Sequence, residues 1–529
     1  MVDNYISGVF RLCPLVLIDV KSGRLCDGPK RRDIFKSERQ FKELISSMTE
    51  QLNEGCIQRV VQEYFQYVTL SHVWGRKEAL FQDVNLACSV WLLGPSSGNE
   101  KLQKFCEVVR DDGYRWAWCD ASCIDKTIST VLNQSLKMMY RWYEASAATL
   151  VHLWDVASPS ALGDLTESAW MTRAWTGQEL LAPHVIRFYT RDWKPYLGDT
   201  RSNHKDSLEI MQELANAIKV SRETIVSFNP DDLSVREKLR LASTRSATVE
   251  EDVAYSLIGI FKSDIRPDYG EGYAALGHLL EEIVARSGEV TVLDWTGSSS
   301  AYNSCLPDAL SVYRRPPNAS PAIEDAEMAA RIATLSALLS RTNAILVHDR
   351  IARLSPARFA NRRLHLPCLI FPVKRLGIQG FTQGHEVRYR VRVSGIGIVE
   401  FQTSDKLSPE EARKLMFINP WICDLRDPLD VLPWGVAMDD GEDEDDDEDE
   451  TDSAPSSPPH VPPVAAMDDY TRALRLIVRL QQPFHALLLQ LQLNGELKRI
   501  ATEHEIILPG IGHQVNFVKD IHADVVEIL

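Results

Sequence analysis

Residues 102–153 read LQKFCEVVRDDGYRWAWCDASCIDKTISTVLNQSLKMMYRWYEASAATLVHL, and the alternation inside this stretch decides the fold. Leu102, Phe105, Cys106 and Val109 recur at i, i+3, i+4 and i+7, which is one face of a helix. Leu132, Leu136, Met139 and Tyr143 make a second stripe of the same kind. A short apolar run comes after each stripe, Trp116–Cys119 after the first and Thr149–Leu153 after the second. Upstream, Tyr67–Leu70 is another short β-type run, and downstream so is Val185–Tyr189. Short apolar strands between helices predict βαβ units and a parallel sheet. Sheets of this kind carry their sites beyond the carboxyl ends of the strands. The residues just after each run are therefore the first place to look for chemistry.

Outward from this α/β domain, set at residues 64–195, the pattern changes several times. Residues 1–63 form an N-terminal segment in which Val16–Val20 and Lys21-Ser22-Gly23-Arg24 read as a strand and turn. Phe41, Leu44, Ile45 and Met48 there mark one helix face. A helical subdomain is expected over 196–345, with stripes at Leu276, Leu279, Leu280 and Ile283 and at Met328, Ile332, Leu335 and Leu339. Residues 346–438 turn β-rich, because RLHLPCLIF and HEVRYRVRVSGIGIVEF alternate in period two. Residues 439–465 are acidic and then Pro/Ser-rich, and are expected to be a disordered linker. Strand-like sequence resumes over 466–529 with LRLIVRL, HALLLQLQLNGELKRIA and EIILPG. Asn494-Gly495 between two such runs is a hairpin signal. The two β-rich parts are expected to form one module.

Charge excludes some functions. The 529 residues hold 58 Lys and Arg against 74 Asp and Glu, a net charge of −16. Twelve of the acids lie in 439–452, so the remaining chain sits near −4. That balance argues against a nucleic-acid binder, whose footprint is a basic domain. No apolar run approaches the ~18 residues of a membrane span. The ten cysteines include no CxxC pair, so free thiols in a reducing, cytoplasmic setting are expected. Cys119 and Cys123 are spaced C-x3-C without a second Cys/His pair downstream, and no metal is expected there. GxxxxGK[ST], HExxH and GxSxG do not occur, and no GxGxxG comes after a strand.

Three segments are dense in Trp, Gly and polar residues: YVTLSHVWG (67–75), YRWAWCDASCIDK (114–126) and SAWMTRAWTGQELLAPHVIRFY (168–189). In order and spacing they resemble the fungal heterokaryon-incompatibility (HET) domain, with its Y-x-x-L-S-x-x-W-G, W-x-D-x-x-C-I-D and R-x-W-T-x-Q-E-L blocks. STRSATVEEDVAYSLIGIF and YGEGYAALGHLLEEI resemble the segment C-terminal to that domain in a basidiomycete-type subgroup. Departures are Ala121, where Thr is common, and Val131 and Gln134, where acids are usual. Trp175-Thr-Gly-Gln-Glu179-Leu180 also resembles the W-x-x-x-E-L of TIR domains, whose Glu serves NAD cleavage. The resemblance implies a TIR-like, flavodoxin-like parallel sheet. It also implies a protein of vegetative incompatibility, an innate-immune type of function whose HET domain triggers growth arrest or cell death. NAD becomes a possible substrate, and protein partners or self-association are expected. The competing reading is a non-enzymatic module that signals by self-association.

Within that frame Glu179 is the catalytic candidate, since a carboxylate can stabilise the positive charge that develops on a ribose. Its other reading is a helix-start carboxylate or an ion pair with Arg173. Ser71, Trp74, Gly75, Asp120, Asp125, Arg173 and Trp175 are the candidate ligand-binding residues. Asp120 and Asp125 come just after a strand, where they either face a ligand or cap a loop. Gly75 is expected to let the backbone turn behind Ser71 and His72. The indoles of Trp74 and Trp175 suit stacking as well as packing. Glu250, Glu251, Asp252 and Tyr255 could serve an acidic contact, but they read first as the start of an amphipathic helix with a solvated acidic face.

Overall fold

Each of the four apolar runs is a strand. The structure is a computed structural model that describes residues 2–47, 54–317, 323–381, 387–420, 468–510 and 522–529. The acidic stretch 439–465, Met48 and Cys423 lie outside the described residues. The chain divides into two compact units, one of residues 1–287 with 291–317 and one of 288–290 with 318–529.

In the first unit the strands are β1 (Val16–Asp19), β2 (Arg24–Asp27), β3 (Tyr67–His72), β4 (Trp116–Trp118), β5 (Ala148–Leu153) and β6 (Ile186–Thr190). They lie in the order β2-β1-β4-β3-β5-β6. The inner four run parallel, β4 to β3, β3 to β5 and β5 to β6. The β1–β2 hairpin adds to β4 antiparallel. Every residue of β3, β4 and β5 is buried, the mark of a sheet covered on both faces. Helices Ser97–Asp111 and Ser129–Glu144 make the crossovers on either side of β4. All four residues of the first stripe are buried, and Leu136, Met139 and Tyr143 of the second.

Chain order and sheet order differ here. The chain leaves β3 for β4 on one side and then returns past β3 to β5 on the other. Such a reversal opens a crevice at the carboxyl ends of β3 and β5. The N-terminal helices Val2–Leu12, Gly28–Ser37, Arg39–Ser47 and Glu54–Phe65 build a separate cluster around Ile6, Phe35, Val61 and Phe65. Downstream, Asp252–Tyr255 is only one helical turn. Glu251 before it is buried and accepts the N–H groups of Gly270 and Gly272 at 2.8 and 3.0 Å, so it is not the solvated acid expected from its neighbours.

The second unit holds β7 (Arg358–Ala360), β8 (Arg363–Phe381), β9 (Val387–Val393), β10 (Gly397–Thr403), β11 (Leu415–Pro420), β12 (Phe484–Leu491), β13 (Leu497–Ile500), β14 (Ile506–Leu508) and β15 (Ala523–Ile528). Pairing runs β8–β11–β12–β13–β15 and back from β15 to β8, which closes a ring of five strands. Strands from either side of 421–467 thus share hydrogen bonds. The long β8 continues beyond the ring to pair with β9, and β9 with β10. Gly495 turns the β12–β13 hairpin with φ +86°. The helices Asp325–Leu338 and Arg341–Ala352 also fall in this unit, although the sequence reading set a helical subdomain over 196–345 and β-rich structure from 346, and one run read as a strand is a helix. LRLIVRL lies in the helix Asp469–Leu480, not in a strand. Asp468 caps it by accepting from the Thr471 N–H at 2.8 Å, and Ala473, Ile477 and Leu480 fall on one helical face. A seven-residue apolar run fits both periods, and the cap decides.

Candidate functional site

Strand β3 ends in Ser71-His72, and consecutive strand residues point to opposite faces. On the Ser71 side the third block delivers a carboxylate. Asp155, just past β5, accepts from Ser168 Oγ and from the Ala169 N–H, both at 2.7 Å, and so fixes the start of the turn Ala169–Thr172. The chain runs extended through Arg173 and re-enters a helix, Thr176–Leu181. Thr176 Oγ1 ties this helix back to the Trp170 and Arg173 carbonyls at 2.5 and 2.9 Å. Gly177 lies at a close approach: a Cβ there would sit 3.2 Å from the Arg245 side chain, which would have to shift slightly. Arg245 in turn donates to the Arg173 carbonyl at 3.0 Å and to Thr176 Oγ1 at 2.8 Å.

This frame aims Glu179 at β3. Ser71 Oγ donates to the Glu179 carboxylate, and Trp170 Nε1 donates to Ser71 Oγ at 2.7 Å. Ser71 and Trp170 are wholly buried, and Glu179 is 6% exposed. Burial pushes the Glu179 carboxyl up to about 7, and the charge of Asp120 adds to the push. Hydrogen bonds from Ser71 and Tyr143 and the charge of Arg173 oppose it. A carboxyl so placed exchanges its proton near neutrality.

On the His72 side the first two blocks meet. Trp74 Nε1 donates to Asp120 Oδ2 at 2.9 Å. Lys126 Nζ lies 3.5 Å over the Trp74 ring and 3.6 Å from the same oxygen. Burial acts to raise the Asp120 carboxyl, but Lys126, His72, Arg173 and the Trp74 N–H hold it below the ordinary carboxylate range. Gly75 does not adopt a left-handed φ; its N–H donates to Glu78 Oε1 at 2.5 Å, so the turn comes from that hydrogen bond and not from glycine's freedom. Lys101 Nζ reaches the same Glu78 oxygen at 2.7 Å. His72 is buried, and burial pushes its imidazole below the ordinary 6.5.

Ser71 and Glu179 are thus in direct contact, and so are Trp74 and Asp120. The charges of Asp120 and Arg173 act on Glu179 across the strand end. Asp125 stands apart as a loop cap, accepting from Gln82 Nε2 at 2.8 Å and from the Thr127 N–H and hydroxyl at 3.0 and 2.6 Å. Trp175 is half-buried at the start of the Glu179 helix. An apolar cleft lies along this helix, lined by Gly177, Leu180, Leu181, Leu241 and Ile260, and Glu179 does not line it. Sequence reasoning gave Tyr143 only a place in a helical stripe and did not single out Glu78, Lys101 or Arg245. Arg245 alone carried a signal, as the arginine of the STRSATVEED block.

Comparison with known proteins reaches the first two blocks. Residues 67–160 match the family described as heterokaryon incompatibility protein (HET). The vegetative incompatibility protein HET-E-1 of Podospora anserina is 34% identical over 228 residues, which cover 41% of this chain and 16% of that protein. The chain therefore spans less than a fifth of the length of this curated relative. No solved structure matches the chain.

Proposed function

We propose that this chain, which carries a HET domain, acts in heterokaryon (vegetative) incompatibility, and that the HET domain triggers growth arrest or cell death by cleaving NAD. Among the described residues no helix is long and apolar enough to cross a membrane, and the reading assumes a cytoplasmic setting. One observation carries the enzymatic part. A glutamate is enclosed at the carboxyl end of β3, next to the strand-order reversal, with its carboxyl raised to about 7. The parallel strands take the 2-1-3-4 order of flavodoxin-like sheets, which supports the TIR-like reading.

The chemistry needs no second nucleophile. As the bond from ribose C1′ to the nicotinamide nitrogen breaks, its electron pair leaves with neutral nicotinamide. The ribose carries the positive charge until water adds at C1′ and gives up a proton to solvent, which leaves the free ribose hydroxyl. Ionised Glu179 stabilises that charge or holds the ribose hydroxyls. Ser71 orients the carboxylate. Trp74 and Trp175 offer ring faces, and Arg173 with Lys126 offers cations for the diphosphate. Asp120 and the Gly75 loop border the same edge, and Asp125 shapes the loop beside it. The test is incubation of the purified chain with NAD, free and under forced oligomerisation. Nicotinamide release that Glu179→Gln abolishes supports the enzyme; none under any condition removes it.

A second reading is a non-enzymatic module that signals by self-association or through protein partners. The enclosure of Glu179 favours it, because its carboxylate is spent on Ser71 and does not line the neighbouring cleft. Cell killing unchanged by Glu179→Gln, together with loss of killing when self-association is blocked, selects this reading.

A further inference from the structure

His72 is an unusual residue to find so deeply enclosed. Its side chain is 1% exposed, and neither ring nitrogen has a hydrogen-bond partner. A buried imidazole normally satisfies at least one nitrogen, because an unmade hydrogen bond costs roughly 1–3 kcal/mol. The ring packs in a polar pocket. A ring nitrogen of His72, the Cys119 thiol and a carboxylate oxygen of Asp120 all lie within 4.8 Å of one another. Cys119 Sγ is 4.0 Å from Asp120 Oδ1. The other Asp120 oxygen is taken by Trp74 and Lys126, so Oδ1 is the one turned to the pocket.

We infer that His72, Cys119 and Asp120 form a binding site for one divalent transition-metal ion of the zinc class. One imidazole nitrogen, one sulfur and one carboxylate oxygen are the donors such ions prefer, and three protein ligands leave the fourth tetrahedral position to water or a substrate atom. Ligand atoms of a tetrahedral site lie roughly 3.3–3.8 Å apart, given metal–ligand bonds of about 2.0–2.3 Å. Closing from the present separations takes less than the length of one bond. The surroundings fit as well. Glu78 Oε2 stands 3.6 Å from His72 Nε2, positioned to take the N–H of the nitrogen that does not bind the metal. Such a carboxylate behind a ligating histidine fixes its tautomer and orientation. Lys101 pairs with Glu78 and Lys126 with Asp120, so the fixed charges around the pocket offset one another. Binding expels the Cys119 proton to solvent, and the thiolate lowers the net charge the ion brings.

The site runs against the expectation of no metal at Cys119 and Cys123. That expectation sought a second Cys/His pair downstream, whereas the histidine comes from upstream, on the neighbouring strand β3. Cys123 has no part in the cluster. The inference is independent of the NAD reading, and its test uses no NAD.

The test is titration of the metal-free full chain with Zn(II) and with Co(II). The expected result is one equivalent per chain, a thiolate-to-cobalt charge-transfer band and a rise in melting temperature that chelator reverses. Cys119→Ser removes the band, and His72→Gln weakens binding by at least about tenfold. Cys123→Ser keeps both. X-ray absorption of the zinc-loaded wild type needs no variant, and should show one sulfur among nitrogen or oxygen neighbours. Absence of stoichiometric binding overturns the site. So does a zinc shell with two sulfurs or none, or a band that survives Cys119→Ser and vanishes in Cys123→Ser.

Discussion

Ser71 and His72 are adjacent in the chain and open onto opposite faces of one sheet, and the two faces are built differently. On the Ser71 face the central polar groups are matched: Trp170 donates to Ser71, and Ser71 donates to Glu179. The cost there is charge, because burial outweighs the pull of Arg173 and the carboxyl keeps its proton until about 7. On the His72 face the charges are paired, Glu78 with Lys101 and Asp120 with Lys126, and the imidazole between them is the unmatched group. One face stores its strain in a titrating acid, the other in an unused ligand. Alternation along a strand is enough to keep the two a residue apart without mixing them.

The largest expected effect tests whether the Ser71 face is held by packing. Trp170 is fully buried with its ring 5.7 Å from that of Phe188, edge to face. Trp170→Ala should cost about 3–5 kcal/mol, read as a lowered urea midpoint, and should also remove the N–H that Ser71 Oγ accepts. Trp74 on the rim is half-buried, so Trp74→Ala should cost far less. Equal losses would mean that the rim is part of the core.

Next in size is a contrast in pH dependence. The Glu179 carboxyl rises from its ordinary 4.5 to about 7 on folding. Between those values the folded chain keeps a proton that the unfolded chain has lost. Stability therefore falls as pH rises across that window, by about 3 kcal/mol in all. Glu179→Gln should remove this slope and gain on the wild type as pH rises. Asp120, Arg173, Tyr143 and Arg245 face the same group and stay in place in the variant. His72 has the opposite sign. Its folded value lies below the ordinary 6.5, so the unfolded chain binds the proton first and stability falls as pH drops below that value. His72→Gln should flatten that acid limb, with Glu78, Lys101 and Asp120 still facing the site. Chemical denaturation across pH separates the two, and slopes of the same sign would break the contrast.

A smaller effect is expected at the base of the His72 face. A Cβ on Gly98 would lie 1.9 Å from the Lys77 carbonyl oxygen and 2.9 Å from Glu78 Cα. Gly98 is therefore the point where the helix carrying Lys101 meets the loop carrying Glu78. Gly98→Ala should cost about 1–3 kcal/mol by forcing backbone apart. The loss should appear with Glu179 titrating as before.

How much of this the sequence disclosed depends on range. The parallel strands were legible because each is a short apolar run beside a helical stripe, a local signal. Ser71 and Asp120 were legible because they come at the ends of such strands, and Glu179 only through the resemblance of the third block to W-x-x-x-E-L. The closed ring of the second unit was not, since it depends on β15 returning to β8 across more than a hundred residues. Nor was the helix at 469–480, where a short run fits two periods and one capping aspartate decides. The His72 pocket was hidden for a different reason. Its members are spaced like nothing in particular, and only the pairing of β3 with β4 brings them together.

The smallest stability effect gives the sharpest separation of the two faces. Lys126 bridges the Trp74 ring and Asp120 at the rim, and its side chain is about one-third exposed. An exposed ion pair contributes about 0–1 kcal/mol and a cation over an exposed ring about as much. Lys126→Met should therefore barely move the melting temperature. Its electrostatic effect is larger, because Lys126 is the foremost of the charges holding Asp120 ionised. Without it the rim loses one positive charge next to that carboxylate. A divalent cation at His72, Cys119 and Asp120 then meets less repulsion and binds more tightly. An anionic diphosphate at the same edge loses a partner and binds more weakly. Opposite changes in Zn(II) affinity and in NAD affinity, at unchanged stability, establish that one strand end serves two ligands. If both weaken together, Lys126 is holding Trp74 and Asp120 in place, and the two faces are mechanically one site.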